Sequence, residues 1–167
     1  MTEAAEAPGP PVIGPLDPAH YETDALVRRH LAVMHEVTPE GHVHALDLAG
    51  LVSSGAVLLG ARLGGALVGM GAIKEIEPGH WEVKSMHVVE AARGSGTARA
   101  LLNALVAAAR EGGARRISLE TGSQPAFEPA RRLYARAGFV DCGAFADYAD
   151  VPESAFMTLD LGAPSGA

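Results

Sequence analysis

The sequence is poor in cysteine: among 167 residues there is one, Cys142. A single thiol cannot form an internal disulfide, so a fold held together by disulfide bonds is excluded. The lack of a cysteine pattern also indicates a reducing compartment.

Segments that would target the chain to a membrane are lacking as well. The N-terminus is acidic where a signal peptide is basic, and it has no apolar core. The most apolar stretch, residues 55–73, is interrupted by Arg62 and by Gly64-Gly65, so it predicts a hairpin and not a membrane span. We therefore expect a cytoplasmic protein without a membrane partner.

Positive charge is scarce, and the formal net charge is −7. Nucleic-acid-binding proteins need a basic surface, so a nucleic-acid partner is not expected. The negative charge suits a cationic partner such as an amine. An apolar fraction of 48% and a charged fraction of 20% are typical of a soluble globular protein.

The chain is long enough for one domain with a buried core. Residues 1–10 contain no large apolar side chain beyond Met1, so they predict a disordered tail. Residues 11–161 are expected to form the domain, and residues 162–167 a flexible C-terminal tail.

Apolar periodicity and turn residues predict alternating strands and helices. Asp17-Pro18 is expected to begin the first helix, which would bury Val27, Leu31 and Met34. A second short helix is expected at residues 40–51, a third ends at Arg110, and a fourth begins at Glu128-Pro129. The predicted strands are 12–16, 57–63, 66–75, 81–89, 116–120, 139–142 and 156–159.

A glycine-rich turn follows the predicted central strand and opens the third helix: Arg93-Gly94-Ser95-Gly96-Thr97-Ala98. Free backbone N–H groups and the helix dipole attract phosphate at such a position, and glycine lets the ligand approach the backbone. A P-loop is excluded because Gly-Lys-Ser/Thr is absent. Arg99 stands where a dinucleotide fingerprint requires a third Gly or Ala.

This turn resembles the acyl-CoA loop of the GNAT acetyltransferase superfamily, Gln/Arg-x-x-Gly-x-Gly/Ala, and Arg93, Gly96 and Ala98 fit the pattern. A second segment, Leu133-Tyr134-Ala135-Arg136-Ala137-Gly138-Phe139, is similar to the superfamily's Leu-Tyr-x-x-x-Gly-Phe. The resemblance covers roughly residues 12–160. A bacterial subgroup of N-acetyltransferases is also similar at three segments, Lys84-Ser85-Met86, residues 119–123 and Phe156-Met157, and this similarity does not name the acceptor.

The resemblance implies a single α/β domain with a mixed, mostly antiparallel central sheet flanked by helices. In this fold a central pair of strands splays apart and forms a notch for acetyl-CoA, and no metal is needed. Backbone groups of Met86, His87 and Val88 would hold the pantetheine arm and face the oxyanion, while residues 93–98 would hold the pyrophosphate.

One position departs from the superfamily pattern. Many relatives have a cofactor-binding asparagine seven residues before the motif tyrosine, and Phe127 stands there in this sequence. The contact would be lost or supplied by a neighbouring polar residue, for which Ser123, Gln124 and Arg131 are the candidates.

Three side chains are candidates for the proton transfers. Tyr134 would protonate the departing thiolate, although it lies on an apolar helix face and could be a core residue. Glu82 matches the superfamily's frequent general base, and its alternative is a salt bridge with Lys84. A free glutamate titrates near ~4.3, so His87 is a rival base with a better-suited pKa.

Four polar residues are candidates for the acceptor site. Glu120 and Thr121 follow the strand beside the notch, and they either line the acceptor pocket or cap the strand. His42 and His44 precede Asp47 at a spacing that is not a recognised metal-ligand pattern, so acceptor contacts or surface positions are the better interpretation.

These observations predict an N-acetyltransferase that transfers an acetyl group from acetyl-CoA to a small primary amine within a ternary complex. A peptide amino terminus is an alternative acceptor, and a non-catalytic acyl-CoA-binding or sensing module is an alternative function. The acyl length, the identity of the base and the formation of a homodimer stay open.

Overall fold

The computed structural model describes residues 7–163, so most of the two predicted tails lies outside the described residues. The strands are β1 (Val12–Pro15), β2 (Val57–Leu63), β3 (Ala66–Glu77), β4 (His80–Val88), β5 (Arg116–Gly122), β6 (Val140–Asp141) and β7 (Ser154–Asp160). The helices are α1 (Tyr21–Val37), α2 (Leu48–Ser53), α3 (Thr97–Glu111) and α4 (Glu128–Arg136). Within residues 7–163 no helix has the length and apolarity needed to span a bilayer.

All seven strands join one sheet in the order β1-β2-β3-β4-β5-β7-β6. Only β4 and β5 run parallel, and the other neighbours are antiparallel. The predicted hairpin of β2 and β3 is confirmed, because Gly64 and Gly65 both have positive φ, as its tight turn requires. The expected mixed, mostly antiparallel sheet is confirmed.

Two apolar clusters hold the helices on the sheet. The larger contains the predicted stripe of α3, in which Leu101, Leu102, Leu105 and Ala109 are fully buried, together with Tyr134 of α4. The smaller joins α1 and α2 to β2 and β3 through Val27, Leu51 and Met70, among others. The sheet thus presents its middle strands to helices of both clusters.

The first helix begins later than its sequence predicts. Asp17 accepts a hydrogen bond from the Ala19 N–H and forms a turn, whereas His20 caps α1 by accepting from the Glu22 N–H. Val27 is buried as expected, but Met34 is only half-buried because it lines the cavity described below. The predicted start at Asp17-Pro18 was therefore wrong.

The second helix is also shorter than predicted. Gly41 has a φ of 82° and interrupts the expected helix, and residues 42–47 have no regular structure. Helix α2 begins at Leu48, where the Asp47 carboxylate accepts from the Gly50 N–H at 2.8 Å. Asp47 is therefore a helix cap, and His42 and His44 lie on a loop.

Candidate active site

The two parallel strands at the centre of the sheet separate before they end. Their pairing stops at Val83 and Leu119, although β4 stays paired with β3 as far as Val88. From Lys84 onward, the β4 backbone groups that point toward β5 therefore lack a strand partner. This is the splayed pair that the resemblance implied.

A β-bulge lies in the same part of β4. Met70 pairs with His87 and Ala72 with Lys84, so β4 has one extra residue there, and Ser85 has a φ of 56°. Met86 then packs into the larger cluster, while His87 contacts His30 of α1. The two neighbouring side chains therefore pack in different surroundings.

A cavity of about 700 Å³ occupies the notch. Its walls come from α1, the loop at 38–45, β4, residues 92–99, the end of β5 and α4. Of the site residues predicted from sequence, those that line it are His42, His44, Glu82, Met86, His87, Val88, Arg93, Gly94, Gly96, Thr97, Ala98, Glu120, Thr121 and Tyr134.

The glycine-rich turn has free donors on its open side. Gly94 and Gly96 have φ values of 77° and 81°, and a side chain at either position would meet no atom within 4 Å. Gly96 is the N-cap of α3, and no acceptor among residues 7–163 bonds the N–H groups of Gly94, Gly96, Thr97, Ala98 or Arg99. An anion can therefore reach these N–H groups.

Ser95 does not line the cavity. Its hydroxyl donates to the Ala92 carbonyl and lies 2.7 Å from the Thr97 hydroxyl, and Thr97 is buried. The Ser95 side chain therefore stabilises the shape of the turn.

The three residues considered as substitutes for the family's asparagine also lie outside the cavity lining, whereas Phe127 lines it. Arg131 donates to the carbonyls of Gly122 and Gln124 at 2.6 and 3.1 Å. The Ser123 hydroxyl donates to the Pro152 carbonyl, and the Gln124 amide donates to the Glu153 carbonyl at 3.4 Å. These contacts fasten the end of β5 to its neighbours, which the sequence pattern did not indicate.

Glu82 is 4% exposed, and its carboxylate accepts hydrogen bonds from two side chains. Its Oε1 accepts from the Lys84 ammonium at 3.1 Å and from the Tyr148 hydroxyl. Lys84 also donates to the Tyr148 hydroxyl at 2.8 Å. The alternative suggested by the sequence, a salt bridge between Glu82 and Lys84, is therefore present at the wall of the cavity.

Tyr148 was missed by sequence reasoning. It lies between β6 and β7, in a stretch without helix or strand. Asp147 and Asp150 lie on either side of it, and such a polar sequence predicts an exposed loop. No periodicity marks it. The neighbouring aromatic residue Phe145 was the available hint that this stretch packs on the sheet.

Glu120 lies at the end of β5, in the position that would face Lys84 if the parallel pairing continued. Burial raises the pKa of its carboxyl to about 7; the Ser154 side chain and the more distant positive charge of Lys84 oppose this rise, and the charge of Glu82 adds to it. Glu120 makes no ion pair among the residues that the structure describes. A carboxyl that titrates near neutrality can accept a proton there.

His87 and His30 form a buried pair with their Nδ1 atoms 3.3 Å apart. Burial lowers the pKa of each to about 4, helped by the neighbouring imidazole at His30 and by Arg29 and Arg93 at His87. Both rings are thus neutral at pH 7. The expectation that His87 has the better-suited pKa was wrong, because the sequence does not show its burial.

Tyr134 is both a core residue and a residue of the cavity wall, so neither interpretation of its sequence context is excluded. It is 6% exposed and packs edge-on against Phe139 in the larger cluster, and it also lines the cavity. Burial and the charge of Glu120 raise the pKa of its hydroxyl, so the hydroxyl stays protonated at neutral pH.

His42 and His44 reach the cavity from the loop before α2. The His44 ring packs edge-to-face on Tyr148 at 5.3 Å, and the His42 Nδ1 lies 3.9 Å from the Glu153 carboxylate. Between residues 7 and 163, no three His, Cys, Asp or Glu side chains are grouped as a metal site would require.

Comparison with known proteins agrees with this geometry. The sequence profile of the acetyltransferase (GNAT) family matches residues 24–139. YsnE of Bacillus subtilis, described as an uncharacterized N-acetyltransferase, is 41% identical over 137 residues, which are 82% of this chain and 91% of YsnE.

Solved structures show the same fold. A Klebsiella pneumoniae protein, provisionally described as an acyl-CoA N-acyltransferase, has a TM-score of 0.74 and 30% identity over 90% of this chain and 97% of its own. The Salmonella typhimurium protein yncA, solved with its cofactor acetyl-CoA, has a TM-score of 0.65 and 21% identity over 95% of this chain and 100% of its own. The chain belongs to the GNAT family of acetyltransferases.

Proposed function

We propose that this acetyltransferase moves an acetyl group from acetyl-CoA to the primary amine of a small molecule, by direct transfer within a ternary complex. The observation that carries the proposal is a single cavity, lined both by the free N–H groups before α3 and by the half-buried Glu120 carboxyl, which has a pKa of about 7. The acetyl-CoA in the structure of the Salmonella relative supports the choice of donor.

The cavity offers groups that would suit each part of the donor. The free N–H groups of Gly94 and of residues 96–99, together with the Arg93 guanidinium, would bind the pyrophosphate. The unpaired edge of β4 would bind the amides of the pantetheine arm. An N–H group of Met86, His87 or Val88 would stabilise the oxyanion that forms on the acetyl carbonyl.

Glu120 is the best candidate for the general base. Within residues 7–163 it makes no ion pair, and its carboxyl titrates near neutrality, whereas Glu82 is already bonded to Lys84 and Tyr148. Glu120 would take a proton from the acceptor's ammonium group. The free amine then forms the C–N bond to the acetyl carbon, the C–S bond breaks to release the CoA thiolate, and the new amide nitrogen loses its extra proton to solvent.

Tyr134 would stabilise that thiolate. Its raised pKa keeps the hydroxyl protonated, as a donor must be, but makes complete proton transfer to a thiolate unfavourable. We therefore assign to Tyr134 a hydrogen bond to the developing thiolate, and the proton reaches the sulfur from solvent.

The acceptor side of the cavity favours a small cation. Three carboxylates line it, from Glu82, Glu120 and Glu153, and Lys84 is the ammonium group beside them. The contact of 3.9 Å between His42 and Glu153 joins two segments of this wall, the loop at 38–45 and residues 143–153.

The proposal is tested with purified protein, acetyl-CoA and a panel of amines, with release of free CoA as the readout. We expect release with at least one small primary amine and none with its N,N-dimethyl analogue, which keeps the charge but cannot form a stable amide. Short peptides with free amino termini test the alternative acceptor. Binding of acetyl-CoA without CoA release for any amine would contradict the proposal.

Replacing Tyr134 with phenylalanine should lower the turnover number by roughly 10- to 100-fold, the effect of losing one hydrogen bond to a charged group. The ring and its packing on Phe139 remain, so the melting temperature should stay near that of the wild type. Tyr21→Phe, at a tyrosine that is 75% exposed, is the matched control. A stable and fully active Tyr134→Phe enzyme would remove Tyr134 from the reaction.

A further inference from the structure

The segment of residues 143–153, between β6 and β7, has no helix or strand but is fixed on the sheet by two aromatic rings. Phe145 packs against His80 and Phe156 at 5.9 and 5.8 Å between ring centroids. Tyr148 packs against Phe156 at 5.8 Å and against His44 at 5.3 Å. The Tyr148 ring therefore lies where this segment, the sheet and the loop before α2 meet.

The Tyr148 hydroxyl has two partners of opposite charge. It donates to the Glu82 carboxylate and accepts from the Lys84 ammonium, which are the roles that a protonated phenol can fill together. Burial and the charge of Glu82 raise the pKa of the hydroxyl, which keeps it protonated. Tyr148 thus completes a closed set of three hydrogen bonds with Glu82 and Lys84.

These bonds direct the Lys84 ammonium group to Glu82 and Tyr148 and away from Glu120. Its ammonium group is bonded to Glu82 and to Tyr148, and it has no hydrogen bond to Glu120, which lies across the notch. We propose that Tyr148 is a positioning residue for acetyl transfer, whose hydroxyl holds Lys84 on Glu82 and so leaves Glu120 free to take the acceptor's proton. This inference rests on the proposed function with Glu120 as the base.

Charged and polar groups from several elements surround Glu120. The change in the Glu120 pKa when Lys84 moves therefore depends on all of these groups. Without the Tyr148 hydroxyl, Lys84 loses one partner and can turn toward Glu120, whose charged form it would stabilise. The polar and titratable groups that face Glu120 are Glu82 and Lys84 from β4, Ser154 from β7, Tyr134 from α4 and Tyr148 from the segment 143–153.

The test is the variant Tyr148→Phe, which keeps the ring and its packing but lacks the hydroxyl. We expect kcat/KM for the acceptor to fall roughly tenfold, the order expected for one lost charge-assisted hydrogen bond. The KM for acetyl-CoA should not change. The acidic limb of the pH profile should move to lower pH, because Lys84 then stabilises ionised Glu120.

A double-mutant cycle with Lys84→Met identifies the route of the effect. When Lys84 is absent, Tyr148→Phe should no longer move the acidic limb. Tyr148→Phe with an unchanged pH profile would overturn the inference, whether or not its melting temperature falls, since a purely structural role alters stability and not ionisation. An inactive wild-type enzyme would contradict the proposed function instead.

Discussion

Glu120→Gln should reduce the turnover number by about 10²- to 10⁴-fold, the usual range for loss of a general base. Glutamine has the size of glutamate but cannot accept the acceptor's proton. The wild-type rate should rise with pH through an ionisation near the Glu120 pKa of about 7, and this limb should be absent from the variant. The measurement is kcat/KM for the acceptor from pH 5.5 to 9.

The same variant has a second readout, because the fold raises the Glu120 pKa from 4.5 to about 7. Between these values the folded chain keeps a proton that the unfolded chain has lost, so wild-type stability falls as pH rises. Glutamine does not titrate, so the variant lacks this loss. The free energy of unfolding of Glu120→Gln minus that of the wild type should therefore be larger at pH 8 than at pH 4. Thermal melting at the two pH values measures the difference.

The matched control is Glu128→Gln, an exposed glutamate at the start of α4 that pairs with Arg132. It should leave both the rate and its pH profile unchanged. Full activity of Glu120→Gln would exclude Glu120 as the base and transfer that role to Glu82 or water.

Gly96→Glu should weaken CoA binding by at least ~100-fold, or about 2.7 kcal/mol. Gly96 has a φ of 81° and caps α3, so a side chain there adds backbone strain of about 1–2 kcal/mol. The larger effect is electrostatic, because the new carboxylate would occupy the free N–H groups and repel the pyrophosphate. Isothermal titration calorimetry with CoA measures the loss directly.

Gly113→Glu is a control that distinguishes the effect of backbone strain from the effect of a negative charge beside the CoA pyrophosphate. Gly113 has a φ of 92°, lies beyond the opposite end of α3, and a side chain there would meet no atom within 4 Å. This control should lose similar stability and keep the CoA affinity of the wild type. Unchanged CoA affinity in Gly96→Glu would exclude the turn as the phosphate site, and equal losses in both variants would assign the effect to strain.

The sequence by itself determined the features that depend on neighbours along the chain. The apolar stripe of α3, the hairpin at Gly64-Gly65 and the glycine turn at 93–98 are all found as predicted, because helical spacing and positive φ are local properties. Two predictions from local signals were wrong: Asp17-Pro18 forms a turn before α1, and α2 begins after its cap Asp47 and not at residue 40. Where several possible capping residues lie close together, tertiary packing determines at which of them the helix begins.

The tertiary structure decided how the candidate site is charged. Tyr148 lies 66 residues from Glu82, and His30 lies 57 residues from His87, so neither contact has a signature in a sequence window. Burial then sets the ionisation: it raises the pKa of Glu120 to about 7 and lowers that of His87 to about 4. The sequence supplied the ionisable groups, but their proton affinity depends on how much water and which charges surround them in the folded chain.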